Sequence, residues 1–248
     1  MNIKKVHKLF QKANSPETEL EELQEIFEIG DEVLYSALAL NPKCDKYLLD
    51  KLSSLNMKEV NANLLIRYET YPKLYSIGLR EVKISDADYV LKLRLDDSYS
   101  KYISKVSDEV SAQENYINHY LENNTHNRES FYFIFTNMAT GERCGTVRIY
   151  NFNDDVFEWG SWILDENKPR YAAMETAIFI YEFAFNRLGF NKSEFEVNKN
   201  NKQVVSYHKK SGAKIIGEDD TNYYFCIEKE VGLEFAKTLR DRIEAMLH

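Results

Sequence analysis

Glu158-Trp159-Gly160-Ser161-Trp162 sets one carboxylate among aromatic residues in a stretch that alternates like a strand. A carboxylate so placed can take a proton from an attacking group, directly or through water, which makes Glu158 a candidate base. Alternation predicts that Gly160 and Trp162 share its face. The plainer reading is a solvated or ion-paired strand residue. His208 is the second candidate, because an imidazole changes charge near neutral pH and can serve as acid or base. It could equally pack against a sheet. Asn201 opens the same short segment, where its side chain suits a helix N-cap. Lys168 and Arg170 are cations just before a long apolar helix and could meet phosphates, although loop cations are mostly solvated. Tyr150, Asn151, Phe152 and Trp159 are expected to line a substrate pocket, against a general preference of strand aromatics for the core.

Other chemistries find little support. Cys44, Cys144 and Cys226 are far apart and form no CxxC, which reads as reduced thiols in a cytoplasmic protein. His7, His119, His126, His208 and His248 show no ligand spacing, so no metal is expected. A net charge of −8 disfavours a nucleic-acid surface. The N-terminus has no signal-peptide core, and no stretch approaches a membrane span.

The elements that must hold these residues divide at Tyr71-Pro72. Residues 1–72 read as an all-helical domain. Ser15-Pro16-Glu17 is expected to start a helix carrying Leu20, Leu23, Ile26 and Phe27 on one face. A second carries Val33 to Leu38 and stops at Asn41-Pro42; a third carries Tyr47 to Leu52. Glu32-Val33 and Glu59-Val60 stand 27 residues apart, each followed by an apolar triplet, which suggests helical repeats. The stop at Asn41-Pro42 followed by a Leu-rich helix resembles the variant leucine-rich repeat. Residues 73–248 switch between periods. Strands are expected at 77–82, 131–135, 145–150, 156–164, 195–197, 215–216 and 223–227. Helices are expected from Ser85 to Leu95, at 112–121, from Ala173 to Leu188, at 202–211 and from Leu233 to Leu247. The segment 121–129 reads as loop. Arg240, Asp241 and Arg242 read as a solvated helix face.

This order, β-α-α-β-β-β-α-β-α-β-β, resembles the GNAT acyltransferase fold, an α+β (α/β) fold with a mixed, mostly antiparallel sheet flanked by helices. Two motifs sharpen the resemblance. Glu158–Trp162 resembles the family's E-x-G-x-W fourth strand, which implies that Ser161, Trp162, Ile163 and Leu164 lie along the pantetheine arm of acyl-CoA. Asn201-x2-Val204-x3-His208-x-Lys210-x-Gly212 resembles N-x2-A/S-x3-Y-x-K-x-G-F. It implies that Asn201 and Lys210 help hold the cofactor and that His208 stands where the family has a tyrosine acid. The family's glycine-rich Q/R-x2-G-x-G/A loop is replaced by Asn167-Lys168-Pro169-Arg170-Tyr171-Ala172-Ala173, with no glycine. The same helix start, with Lys168, Arg170, Tyr171, Ala172 and Ala173, is then implied to meet the pyrophosphate. Trp159–Gly217 is similar to acyltransferases of surface-glycan gene clusters. That similarity implies acetyl-CoA or another acyl-CoA as co-substrate and a nucleotide-linked amino-deoxysugar as acceptor, by direct transfer in a ternary complex. Two alternatives stay open: a protein N-terminal or ribosomal-protein acetyltransferase, and a non-catalytic binding module. A homodimer is compatible with either, and the helical N-terminal region is expected to make protein contacts.

Overall fold

The computed structural model describes residues 3–124 and 128–247. His126 and His248, and the middle of the expected 121–129 loop, lie outside these residues.

The first third of the chain is helical: α1 (Ile3–Asn14), α2 (Leu20–Glu28), α3 (Glu32–Leu38), α4 (Lys46–Ser54) and α5 (Lys58–Glu69). Asp31 caps α3 by accepting from the Val33 amide, and Asp45 caps α4 by accepting from the Leu48 amide. The Ser15-Pro16-Glu17 start is corrected. Those residues form a turn, in which Ser15 O accepts from the Thr18 amide at 3.2 Å, and α2 begins only at Leu20. The turn is favoured because Asn41 uses both Ala13 O (2.7 Å) and Ser15 O (2.9 Å) from its buried amide. Asn63 of α5 lies on Ser36 of α3, whose carbonyl and hydroxyl both accept from its amide. Leu23, Ile26, Leu34, Leu38, Leu48, Leu52 and Val60 form a core of their own.

The rest is a seven-stranded sheet in the order β1-β2-β3-β4-β5-β7-β6. Its strands are β1 (Ile77–Glu81), β2 (Phe131–Asn137), β3 (Arg143–Asn153), β4 (Val156–Leu164), β5 (Lys192–Asn198), β6 (Lys214–Glu218) and β7 (Asn222–Glu228). All neighbours are antiparallel except β4 and β5. Helices α6 (Ala87–Leu95), α7 (Asp97–Ser100) and α8 (Val110–Asn123) follow β1; α9 (Ala172–Asn186), α10 (Lys202–Lys210) and α11 (Lys229–Leu247) follow the later strands. Phe131, Phe133 and Phe135 of β2 point to α9, where Phe133 meets Phe179 at 4.9 Å between ring centroids. Tyr132 and Ile134, alternating with them, pack against α6 and α8. Arg240 is corrected from a solvated charge: it grips Glu182 of α9 through Nε and Nη2 and donates to Lys73 O at 2.9 Å.

Two buried ionisable side chains join the helical segment to the sheet. Arg67 of α5, 2% exposed, donates to Asn41 O, Asn186 O and Arg187 O. Glu175 in the first turn of α9 is fully buried and accepts from the amides of Tyr75 (2.7 Å) and Ser76 (2.9 Å) and from the Ser76 hydroxyl. It thus pins the connection between the two cores.

Candidate active site

Strand β4 pairs with β5 only at Val156–Lys192 and Phe157–Ser193. Beyond Phe157 the two strands part, and the β4 edge facing β5 forms no further ladder. A strand edge with open N–H and C=O groups can take an extended polar chain as if it were another strand. At the same place β4 bulges. Arg148 faces Gly160 and Thr146 faces Ile163, so Ser161 and Trp162 together oppose a single β3 residue. Ser161 takes the positive φ (+48°) that the bulge requires, and its carbonyl accepts from Thr146 Oγ1 at 3.0 Å.

The bulge changes which side chains meet. Strict alternation would put Trp162 beside Glu158. Instead Trp162 turns to the α9 face, with its ring 5.5 Å from that of Trp159 and 5.7 Å from that of Tyr207. Trp159 is 5% exposed and touches Tyr181, Phe195 and His208. The wedge between β4 and β5 is therefore walled by aromatic rings. Three of their polar atoms are buried without a partner among the described residues: Trp162 Nε1, Tyr207 OH and His208 Nδ1. Buried polar groups are nearly always paired, so a concentration of unpaired ones marks a place built for a polar ligand.

On the opposite face of the sheet stand Glu158 and Gly160 with Tyr150 and Arg148. Glu158 Oε1 accepts from Tyr150 OH at 2.8 Å and Oε2 from Asn151 Nδ2 at 2.7 Å. Each oxygen keeps a lone pair for a proton or a water. Burial first, then the Glu158 carboxylate, push the Tyr150 phenol well above its ordinary range, so it remains a donor. Gly160 makes this possible: a Cβ there would lie 2.8 Å from the Tyr150 hydroxyl.

The other expected residues separate. Asn151 has φ +52° and adjoins a second register shift in β3, after which Phe152 lies against Phe131 and Phe190 on the α9 face. Tyr150, Asn151, Phe152 and Trp159 thus do not share one pocket. Asn151 and Phe152 instead line a cleft of about 1080 Å³ shared with α4 and α5. Ile163 is buried, while Leu164 is half-buried at the end of β4. Asn201 caps α10 by accepting from the Val204 amide at 3.3 Å, and Lys210 is exposed at the far end of that helix. Lys168 is exposed and donates to Asp165 O at 3.1 Å; Arg170 is exposed with its guanidinium 5.4 Å from the centre of the Tyr171 ring. At the start of α9 the Ala172 amide is used by Pro169 O (3.1 Å), whereas those of Ala173 and Met174 have no acceptor among the described residues. A helix start with free amides suits phosphate even without glycines.

His208 is 3% exposed and lies among Trp159, Phe195, Tyr207 and Phe225. Burial pushes its pKa down to about 3, so the imidazole is neutral at pH 7 and has no extra proton to give. The residue before it, Tyr207, brings a buried hydroxyl with no partner. Sequence reasoning passed over Tyr207 because motif spacing pointed one residue further. It also passed over Arg148, whose signal was a lone cation between Val147 and Ile149 in an apolar strand. Among the described residues no group of His, Cys, Asp and Glu could hold a metal ion, and no helix is long and apolar enough to cross a membrane.

The parted strands, the bulge and the open helix start form one arrangement, and residues 76–214 match the acetyltransferase (GNAT) domain model. The chain belongs to the GNAT acetyltransferase family. It is an N-acetyltransferase, and GNAT acetyltransferases use acetyl-CoA. The chain is 41% identical to FdhC, described as a nucleotide-linked sugar GNAT, over 66% of this chain and 93% of that one, with a TM-score of 0.61. A GNAT-family acetyltransferase from Bacillus anthracis is 15% identical over 65% of this chain and 99% of that one (TM-score 0.53). A spermidine N-acetyltransferase from Vibrio cholerae, solved with CoA and spermine, is 16% identical over 64% and 98% (TM-score 0.56). These last two share the fold. No curated protein matches the chain.

Proposed function

We propose that this GNAT enzyme transfers an acyl group, acetyl by default, from acyl-CoA to the amino group of a nucleotide-linked amino-deoxysugar used in surface-glycan synthesis. The observation that carries the acceptor is the 41% identity to FdhC across 93% of that chain. The wedge between β4 and β5 takes the pantetheine arm along Ser161–Leu164, and the amides of Ala173 and Met174, with Lys168 and Arg170 near, take the pyrophosphate. Acyl-CoA supplies an activated thioester carbonyl. The acceptor approaches on the Glu158 face. Its amine attacks that carbonyl as the C–N bond forms and the C–S bond breaks. Glu158 receives the amine proton, and coenzyme A leaves as thiol. Tyr207, whose phenol burial holds well above its ordinary range, is the candidate hydrogen-bond donor to the departing sulfur, which takes its proton from solvent. Holding amine and thioester together in one complex supplies a large share of the rate.

Thiol release from acetyl-CoA, measured against a panel of nucleotide-linked aminosugars, peptides and polyamines, tests the reading. Turnover is expected with the aminosugars, and Glu158→Gln should lower it about a hundredfold or more, the usual worth of a positioned base. Turnover with peptides alone would overturn the acceptor assignment. Full activity in Glu158→Gln would remove Glu158 from the chemistry.

A further inference from the structure

Arg148 sits in the middle of β3, opposite Tyr132 on one side and Gly160 on the other. Its guanidinium lies against three tyrosine rings, 4.9 Å from the centre of Tyr150, 5.4 Å from Tyr132 and 5.5 Å from Tyr116 of α8. One nitrogen, Nη1, donates to the Tyr116 hydroxyl. Nε is buried and has no partner among the described residues. Other arginines near the sheet are committed elsewhere: Arg80 and Arg143 to Asp86, Arg128 to Glu81, Arg240 to Glu182. Arg148 forms no ion pair among the described residues. A guanidinium has five N–H donors, and stacked rings fix its plane while leaving donors to spare.

Its position gives the spare donors a use. Arg148 and Glu158 lie on the same face of neighbouring strands, two residues apart in register, a diagonal relation that separates such neighbours by roughly 7–8 Å. Gly160, opposite Arg148, leaves room over the strand for the Tyr150 phenol, which touches both the guanidinium and Glu158. One molecule lying along that phenol can reach both. The same face carries the exposed carboxylates Glu194 and Glu196 on β5, which would repel an anion and attract a polyamine. A fixed cation next to the base reverses that preference.

We propose that Arg148 is the anion-binding residue of the acceptor site: it holds a phosphate of the nucleotide-linked acceptor while the amine of the same molecule stands at Glu158. Tyr116 orients the guanidinium, and Tyr132 and Tyr150 hold it flat. The assignment rests on the nucleotide-linked acceptor proposed above. It makes Arg148 a residue that selects phosphate-bearing amines, separate from the proton transfer itself.

The test is steady-state kinetics on the full chain with a nucleotide-linked aminosugar and with the methyl glycoside of the same aminosugar, which lacks the phosphates. Arg148→Gln is expected to raise KM for the nucleotide-linked acceptor about tenfold or more, with a smaller change in kcat, and to lower the preference for it over the glycoside by a similar factor. Arg148→Lys, which keeps the charge and loses the fork, should recover part of that preference. Added salt should raise the wild-type KM for the charged acceptor and leave that of Arg148→Gln nearly flat. Should Arg148→Gln not fold, Tyr116→Phe on the half-exposed α8 surface replaces it, with a smaller rise in KM confined to the charged acceptor. An unchanged preference in folded Arg148→Gln, or in both Arg148→Lys and Tyr116→Phe, overturns the inference while leaving the acceptor reading intact. A wild-type enzyme that accepts no nucleotide-linked aminosugar overturns both.

Discussion

An imidazole with only aromatic rings around it cannot keep a proton at pH 7. His208 shows this: its residue type promised acid–base chemistry, and its surroundings withdraw it. The linkage has a definite sign. The folded state holds the pKa down at about 3 against an ordinary 6.5, so the unfolded chain binds the proton first as the pH falls. The contribution of neutral His208 to stability is complete above pH 6.5 and is lost as the pH falls toward 3, by about 1.4 kcal/mol per unit. Thermal melts of wild type and His208→Phe should therefore diverge between pH 7 and pH 4.5, with the wild type falling faster. Parallel slopes would show that His208 is solvated in the folded protein. Glu158 was legible as a single carboxylate in an aromatic strand, and the structure adds the two donors, Tyr150 and Asn151, that hold it.

At the scale of elements, the wedge between β4 and β5 and the bulge at Ser161 decide what the strand residues do. The alternating pattern located β4 but placed Trp162 on the wrong face, because a bulge moves every later side chain by one position and leaves no mark in hydrophobicity. The end of α9 is the other decisive element. Gly189 follows it at φ +80°, and its carbonyl accepts from the Lys46 amide at 2.8 Å. A Cβ there would come within 2.5 Å of that amide nitrogen. Sequence reasoning expected a glycine stop for α9; the close approach to α4 was invisible, since it depends on a segment more than a hundred residues away. Gly189→Ala is expected to cost at least about 2 kcal/mol through strain and displacement of α4. The urea midpoint measures this, and an unchanged midpoint would show that α4 does not rest on Gly189.

Across the whole molecule, the helical segment and the sheet keep separate apolar cores, with Tyr68 packed against both and Arg67 and Glu175 fastened between them. Arg67 forms no ion pair among the described residues; its charge is met by carbonyls at the end of α9 and around Asn41, and burial pulls its pKa down. Removing it takes away the side-chain donor of the Asn186 and Arg187 carbonyls and leaves Asn41 O with the Cys44 amide alone. Arg67→Met should therefore lose about 3 kcal/mol or more and expose the connection near Tyr71-Pro72 to protease before the sheet unfolds. Resistance equal to wild type would show that the cores are joined by other contacts.

The sequence by itself determined the element order, the apolar faces and the family motifs, because each is written in local periodicity and short spacing. It also supplied the glycine-free start of α9 and the carboxylate at Glu158. Only the tertiary structure decided that β4 and β5 part after Phe157, that Trp162 joins Trp159, that His208 is neutral, and that Arg148, without an ion pair among the described residues, shares a sheet face with Glu158. Those facts depend on which distant side chains surround a residue, and burial and charge pairing are set by neighbours in space.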